Sequence, residues 1–584
     1  MRLEDYWGVG PKTRELLASE LGVETAIEAI ESGDIRTLTE AGLSRGRATR
    51  ILRRVEGGSA MDILATRDTR EVYKDLLAVV GRYAVTDHAA DRIRLLTPLV
   101  DRADIEDRLD DVIEARDTWG RLGDADRETV LDAFETYERL DGEQSAVRAA
   151  LALRDAGLDS GVFAPLGELD ASVLADAADA LAALKGDGSV ASGADETLDR
   201  LDSQLGTAED LAADSESVVE AVRNEIRTAD EFDEGVLDYV VREADVGRDR
   251  VRAAMPADAA DARDFVAETL RSLADDLRSA VDERAEIVAA DARSTTEDAR
   301  SEIDAAVEAV DDIALSLSLA RFAIDFELTR PTLADDSDVL AVEGARNLFL
   351  EASDEAVQTV NYAVGDHRLQ YPTANAPPSG DRVAVLTGAN SGGKTTLLET
   401  LAQVQLLAQM GLPVPAETAE VGLVDAVVFH RRHASFNAGV LESTLKNVVP
   451  PLTNEGHTLM LVDEFEAITE PGSAADLLHG LVTLTVEREA LGVFVTHLAD
   501  DLEPLPESAR VDGIFAEGLT PDLELEVDYQ PRFETVGRST PEFIVSRLVA
   551  NADDREERAG FDTLARAIGQ EAVQRTLSDA RWSR

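Results

Sequence analysis

A run of apolar residues, Arg382-Val-Ala-Val-Leu-Thr387, leads into Gly388, Ala389, Asn390, Ser391, Gly392, Gly393, Lys394, Thr395 and Thr396. Leu397, Leu398, Leu401, Val404 and Leu407 then recur at helical spacing. Strand, glycine loop and helix in that order form the context in which a P-loop pattern carries physical meaning. The glycines let backbone amides close around phosphate oxygens, and the new helix turns its positive end toward the same point. Lys394 would reach the β- and γ-phosphates, and the Thr395 hydroxyl would ligate Mg²⁺. With five lysines in 584 residues, a chance match of this pattern is improbable. The segment reads as a nucleotide site.

The remaining parts of such a site are present downstream. Thr458-Leu-Met-Leu-Val-Asp463 is a buried-type strand ending in an acid, and Glu464 follows. An Asp at that strand end holds Mg²⁺, and the following Glu is placed to accept a proton from the attacking water. A third apolar run, Gly492-Val-Phe-Val-Thr496, ends at His497. One strand end further along the same parallel sheet, its imidazole would lie near the γ-phosphate.

Length and charge bound the rest. The chain carries 117 acidic and 57 basic residues, a formal charge of −60, with 44% hydrophobic residues. The length suggests several domains and the apolar content a folded protein. The acid is spread along the whole chain and the basic residues are mostly Arg, which fits a salt-rich cytoplasm where concentrated ions screen the repulsion. Zero cysteines exclude disulfides, thiol catalysis and cysteine-ligated zinc. No apolar run approaches about 18 residues, so a cytoplasmic protein without a membrane partner is expected.

Residues 1–58 read as two similar halves. Tyr6-Trp-Gly-Val-Gly-Pro-Lys-Thr13 precedes one helical segment, and Leu38-Thr-Glu-Ala-Gly-Leu-Ser-Arg-Gly-Arg-Ala48 precedes another. Each half resembles a helix-hairpin-helix, in which a glycine turn and a helix N-terminus hold a DNA phosphate without reading sequence. The candidate DNA contacts are Gly8, Gly10, Lys12, Thr13, Gly42, Gly46 and Arg47, beside further arginines at 45, 50, 53 and 54. A helical hairpin used only for protein contacts is the alternative.

Residues 59–189 are helical by pattern. Residues 190–310 are rich in Ala, Asp, Glu, Arg, Val and Leu, with Val218, Val219, Val222, Ile226, Leu270, Leu273, Leu277 and Val281 at helical spacing. Two long antiparallel helices with a break near Met255-Pro256 are the natural reading, and disorder the alternative. Residues 311–375 bring the chain back to a packed core, and the nucleotide domain with a helical tail occupies 376–584.

These motifs resemble the MutS family. Thr387-Gly-Ala-Asn-Ser-Gly-Gly-Lys-Thr-Thr396 is similar to the MutS P-loop, with Ala389 where Pro is usual. Met410-Gly-Leu-Pro-Val-Pro-Ala416, Asp463-Glu-Phe-Glu-Ala-Ile-Thr-Glu-Pro-Gly-Ser473 and Thr496-His497 resemble further MutS segments, closest to the bacterial branch that lacks mismatch recognition. Tyr83-Ala-Val-Thr86 and Arg94-Leu-Leu-Thr-Pro98 are similar to the approach to the MutS core. Phe232-Asp-Glu234 and Phe349-Leu-Glu351 spell the mismatch-reading Phe-x-Glu in the wrong parts of the chain and are taken as chance.

The resemblance implies a multidomain protein: an N-terminal helix-hairpin-helix, an all-α core with a long coiled-coil arm, and a C-terminal α/β P-loop ABC-type ATPase domain. It further implies a homodimer using ATP and Mg²⁺, with a signature loop, Ser435-Phe-Asn-Ala-Gly-Val-Leu-Glu-Ser443, completing the partner's site. Lys394, Glu464 and His497 would serve hydrolysis; Gly388 to Thr396 would bind nucleotide; Thr395 and Asp463 would hold the metal. The expected function is an ATP-switched clamp on branched DNA in repair or recombination. Sensing of stalled ribosomes, a coil-bearing DNA organiser and a non-hydrolysing scaffold are the alternatives. The coil lies wholly before the P-loop, which argues against the organiser.

The charge argument makes a measurable demand. The thermal midpoint should rise by several degrees or more between about 0.2 and 2 M KCl, because screening relieves self-repulsion in the folded state. Calorimetry or circular dichroism melts across that range would check it.

Overall fold

The apolar runs of the C-terminal half become strands with both faces buried. The strands are β1 (Thr332–Leu333), β2 (Val339–Ala345), β3 (Val360–Gly365), β4 (Val383–Gly388), β5 (Thr418–Val421), β6 (Ala426–His430), β7 (Thr458–Asp463), β8 (Leu491–Val495), β9 (Ala509–Leu519) and β10 (Leu525–Arg532). In the computed structural model, the residues described are 2–582 apart from 141, 226–230, 336–337, 373–374, 389–392, 433–437, 455, 466–470, 521–522, 524, 538–540 and 553. Ala389, Asn390, Ser391 and Gly392 of the P-loop therefore lie outside the described residues, as do Ile226 and Ser435-Phe-Asn437 of the expected signature loop.

The main sheet runs β10-β9-β4-β8-β7-β6. Its strands pair in parallel except for the antiparallel β9–β10 hairpin. Every residue of β4, β7 and β8 is buried, as expected for parallel strands covered on both faces. Alternation sorts them between two cores. Ala384, Leu386, Leu459, Leu461, Val493 and Val495 share one with Leu398 and Leu401 of the helix Lys394–Gln409. Val383, Val385, Met460, Val462 and Phe494 share the other with Leu478 and Val482 of the helix Pro471–Glu487. β8 stands between β4 and β7 rather than beyond them, so His497 emerges between the two halves of the nucleotide motif.

β6 is an edge strand, and an uncovered edge invites pairing with other chains. Residues from the N-terminal half cover it. Thr66 Oγ1 donates to the Phe429 carbonyl at 2.6 Å. Thr69 Oγ1 donates to the Val427 carbonyl and accepts from the Phe429 amide, both at 2.9 Å. Leu64 bridges Val427 in parallel. Thr66 also caps the helix Arg67–Val80 through the Thr69 amide, so one hydroxyl pair starts a helix and seals a sheet.

A smaller sheet, β1-β5-β2-β3, packs beside the main one. The join is ionic and buried. Arg510 of β9 donates from Nε to Asp512 at 3.1 Å and from Nη2 to the Ala363 carbonyl of β3 at 2.5 Å. The Tyr362 hydroxyl donates to Asp512 at 2.9 Å. Burial pushes the Asp512 carboxyl up, with Arg510 opposing it.

The chain divides into two units, Met1–Arg127 with Ile313–Arg584, and Glu128–Asp312. Both sheets belong to the first. The second is helical, built on the 37-residue helix Ala262–Asp298, whose N-terminus is capped by Asp261. Leu270, Leu273 and Leu277 are fully buried with Val218, Val219 and Val222, the stripe read from the sequence, and Val281 is half-buried. The opposing chain differs from a single long helix. It is divided into Glu196–Ala213, Ser215–Glu225, Phe232–Ala244 and Arg248–Ala254. Asp214, left-handed Asp245 and Met255-Pro256 interrupt it. No helix among the described residues is long and apolar enough to cross a membrane.

Arg510→Ala would leave the Asp512 carboxylate buried without its cation. A loss of about 3–5 kcal/mol is expected, measured as a shift of the denaturant midpoint at constant salt.

Candidate functional site

The site is assembled at the C-terminal ends of β4, β8 and β7. β4 ends at Gly388 with φ of +130°, and a Cβ there would lie 2.1 Å from the Ile514 carbonyl oxygen of β9. Only glycine fits, and the chain can turn off the sheet while remaining in contact with it. Gly393, at φ of +70°, caps the helix Lys394–Gln409, and a Cβ there would meet the Tyr529 ring at 2.7 Å. Lys394 is buried and its Nζ donates to the Gly388 carbonyl at 2.9 Å. Thr396 is half-buried in the first turn, its carbonyl accepting from the Thr400 hydroxyl at 2.8 Å.

The two halves of the motif meet directly: Thr395 Oγ1 donates to Asp463 Oδ2 at 2.7 Å. Asp463 is 3% exposed, and its other oxygen, Oδ1, is buried without a hydrogen-bond partner. Burial pushes this carboxyl up; the Thr395 hydroxyl and Lys394 oppose the shift, and the neighbouring Glu464 adds to it. A hydroxyl and a carboxylate in contact, with an orphaned oxygen beside them, suit a small hard cation such as Mg²⁺, which takes few protein ligands and oxygen donors.

Glu464 takes a left-handed backbone, φ of +42°, while its amide donates to the Val495 carbonyl at 3.0 Å. That geometry turns the carboxylate back over the strand ends, where 8% of the residue is exposed. His497 Nε2 lies 3.0 Å from Glu464 Oε1, and since a carboxylate only accepts, Nε2 carries the proton. Arg432 Nη1 lies 2.5 Å from Oε2. The His497 hydrogen bond holds this carboxyl below its ordinary range, helped by the charges of Arg432 and Lys394. Glu464 is therefore ionised at neutral pH, as a base must be.

Arg432 was not among the residues singled out from the sequence. Its signal was the pair Arg431-Arg432 just past β6, cations where the chain is otherwise acidic. Arg431 pairs with Glu399 of the P-loop helix. Asn347 also reaches that helix, Nδ2 donating to Thr400 Oγ1 at 3.2 Å.

The N-terminal segment forms the helices Pro11–Glu20, Val23–Glu31, Ile35–Glu40 and Arg45–Gly57 around Leu17, Ile30, Leu38 and Ile51. Its two halves correspond. Gly8 and Gly42 both take positive φ, Val9 and Leu43 are both buried, and Gly10 and Ser44 both precede a helix. Gly8, Lys12, Gly42, Gly46 and Arg47 are exposed and Gly10 is half-buried. Thr13 is buried with its hydroxyl turned inward, so its side chain does not face a ligand. The basic patch is smaller than its composition suggests: Arg45 pairs with Asp91, Arg54 with Asp62 at 2.8 Å, and Arg53 donates to the Arg94 carbonyl at 2.5 Å. Arg47 and Arg50 remain exposed.

Residues 384–508 match the family model of MutS domain V. The chain is 40% identical over 252 residues to the DNA-binding protein MutS2 of Pyrococcus furiosus, covering 43% of each protein. It is 30% identical over 236 residues to the endonuclease MutS2 of Thermomicrobium roseum, covering 39% of this chain and 28% of that protein. It is 28% identical over 239 residues to the DNA mismatch repair protein MutS of Natronomonas pharaonis, covering 39% and 26%. The matches thus span less than half the length of these relatives. Residues 384–508 thus match MutS domain V, and part of the chain is similar to MutS2 and MutS proteins.

Thr395→Val keeps the side-chain volume and removes the hydroxyl facing Asp463. ATP affinity should fall by about tenfold in the presence of Mg²⁺ and change little in EDTA, measured by titration with a fluorescent nucleotide.

Proposed function

We propose that this chain is a MutS-like ATPase whose ATP cycle switches its grip on structured DNA. The observation that carries the reading is the Thr395–Asp463 contact with Glu464 and His497 beside it. Three neighbouring parallel strands bring Thr395, Asp463, Glu464 and His497 together.

Lys394 and the amides of Gly388 to Thr395 would bind the phosphates; the ammonium has three donors, so Lys394 Nζ would reach them while keeping the Gly388 carbonyl. Thr395 and Asp463 would hold Mg²⁺, whose chemistry is to neutralise charge on the β- and γ-phosphate oxygens. Glu464 would accept the proton of the attacking water, and His497 would orient Glu464 while facing the γ-phosphate. Buried strands on both sides hold these groups in place, so little reorganisation is needed at the moment of reaction.

The DNA reading rests on the paired glycine turns of the N-terminal segment and on the DNA-binding and repair proteins to which the chain is similar. Exposed amides and Arg47 would position a backbone without reading bases, which suits junctions or branches. As in the family it resembles, two copies would pair so that the segment around 435–443 of one completes the site of the other.

The test is ATP turnover in about 2–3 M KCl with no addition, linear duplex, four-way junction or ribosomes. Junction stimulation above duplex is expected, whereas stimulation by ribosomes alone would overturn the DNA reading. Glu464→Gln should lower kcat by about 10²–10⁴-fold while nucleotide still binds. Parent-like turnover in that variant would remove Glu464 as the base.

A further inference from the structure

Each oxygen of the Glu464 carboxylate already has a partner. Glu464 Oε1 is held by His497 Nε2 at 3.0 Å and Oε2 by Arg432 Nη1 at 2.5 Å. A carboxylate with a cation on one oxygen and a donor on the other has little basicity left for a water. Release of either partner would raise its basicity toward a water.

The surroundings indicate which one. His497 follows β8 at the centre of the sheet. The backbone there is fixed by the Thr496 amide on the Leu386 carbonyl and the Leu498 amide on Thr496 Oγ1, both at 3.0 Å. Arg432 lies just past edge strand β6, on a long side chain that is 54% exposed. A guanidinium also matches a phosphate as well as it matches a carboxylate, by the same paired N–H donors. A water held by Glu464 against a γ-phosphate would be about 3 Å from each, so the two anions that compete for Arg432 lie within a few ångströms of one another.

We propose that Arg432 is a positioning residue that detects the γ-phosphate: it clamps Glu464 while the γ-phosphate is absent and transfers to that phosphate when ATP binds, freeing Glu464 to accept a proton. The inference rests on the ATPase reading and adds to it a residue that distinguishes ATP from ADP. It also gives the edge strand a task. Thr66 and Thr69 fix β6 to the N-terminal half of the chain, so a shift of Arg432 would be felt there first.

The test compares ATP and ADP binding to the parent chain, R432A and R432K, in EDTA and about 2 M KCl, together with steady-state turnover in Mg²⁺. R432A is expected to weaken ATP binding by about tenfold and to leave ADP within about twofold. KM for ATP should rise in step, with kcat within about threefold because Glu464 is no longer clamped. R432K should recover part of the ATP affinity. Equal weakening of ATP and ADP would make Arg432 a structural residue, and unchanged affinity for both would overturn the proposal. Loss of kcat at unchanged KM would instead assign it to the transition state and also overturn it. A parent chain that binds neither nucleotide would remove the ATPase reading itself, a result separable from any effect of the substitutions.

Discussion

The register of three parallel strands decides where the chemistry can be. Leu386 of β4 lies level with Val495 of β8, and Val495 with Asp463 of β7. Just beyond that level, Gly388 turns away into the phosphate loop two residues past Leu386, while Glu464 turns back over the sheet and Thr496 leads to His497 one residue past Asp463 and Val495. A slip of one residue in β7 would turn Asp463 to the opposite face and break its contact with Thr395. The slip is opposed by the whole of both cores, because it would also exchange Leu459 and Leu461 with Met460 and Val462 between the two faces. The site is thus fixed by hydrophobic packing well away from it. That permits an acid as buried as Asp463 and a backbone as unusual as that of Glu464 to persist.

A second constraint comes from the sheet edge. Strand β6 needs partners for its outer carbonyls and amides, and side chains of Thr66 and Thr69 provide them. The consequence is mechanical. The helix Arg67–Val80 is tied to β6, and β6 is followed by Arg431 and Arg432, which contact Glu399 of the P-loop helix and Glu464. The helix Arg67–Val80 also buries Val72, Leu76 and Leu77 in the core that holds Leu398 and Leu401, so apolar packing and hydrogen bonds together fix it to the sheet.

The legible parts of the sequence were those carried by local pattern. Continuous apolar runs announced β4, β7 and β8, and the residues at their ends could be assigned roles because strand ends converge in a parallel sheet. The paired glycine turns were visible for the same reason, since left-handed backbone favours glycine. What was not legible depends on distant pairing. Nothing in Arg432 distinguishes it from other arginines until β6 is known to lie beside β7. Nor does anything in Thr66 and Thr69 mark them as partners for residues more than 350 positions away. The placement of β8 between β4 and β7, the inward turn of Thr13, and the use of Arg45, Arg53 and Arg54 in internal contacts belong to the same class. The division of the helices opposing Ala262–Asp298 was partly signalled by Met255-Pro256, but Asp214 and Asp245 break the chain with residues that elsewhere sit in helices.

Charge gives these observations a common logic. In a chain of −60, most ion pairs are exposed, and screening leaves such pairs little energy in concentrated salt. Cations that matter must then be those that salt cannot reach. Lys394 and Arg510 are both about nine-tenths buried or more, one against the Gly388 carbonyl at the end of β4 and the other at the join between the sheets. Arg432 is the informative exception. Its side chain is half exposed, yet its partner oxygen belongs to a carboxylate that is nearly enclosed, so salt weakens the pair only from one side. Such a half-exposed contact suits the proposed exchange, in which Arg432 would pass from Glu464 to a γ-phosphate.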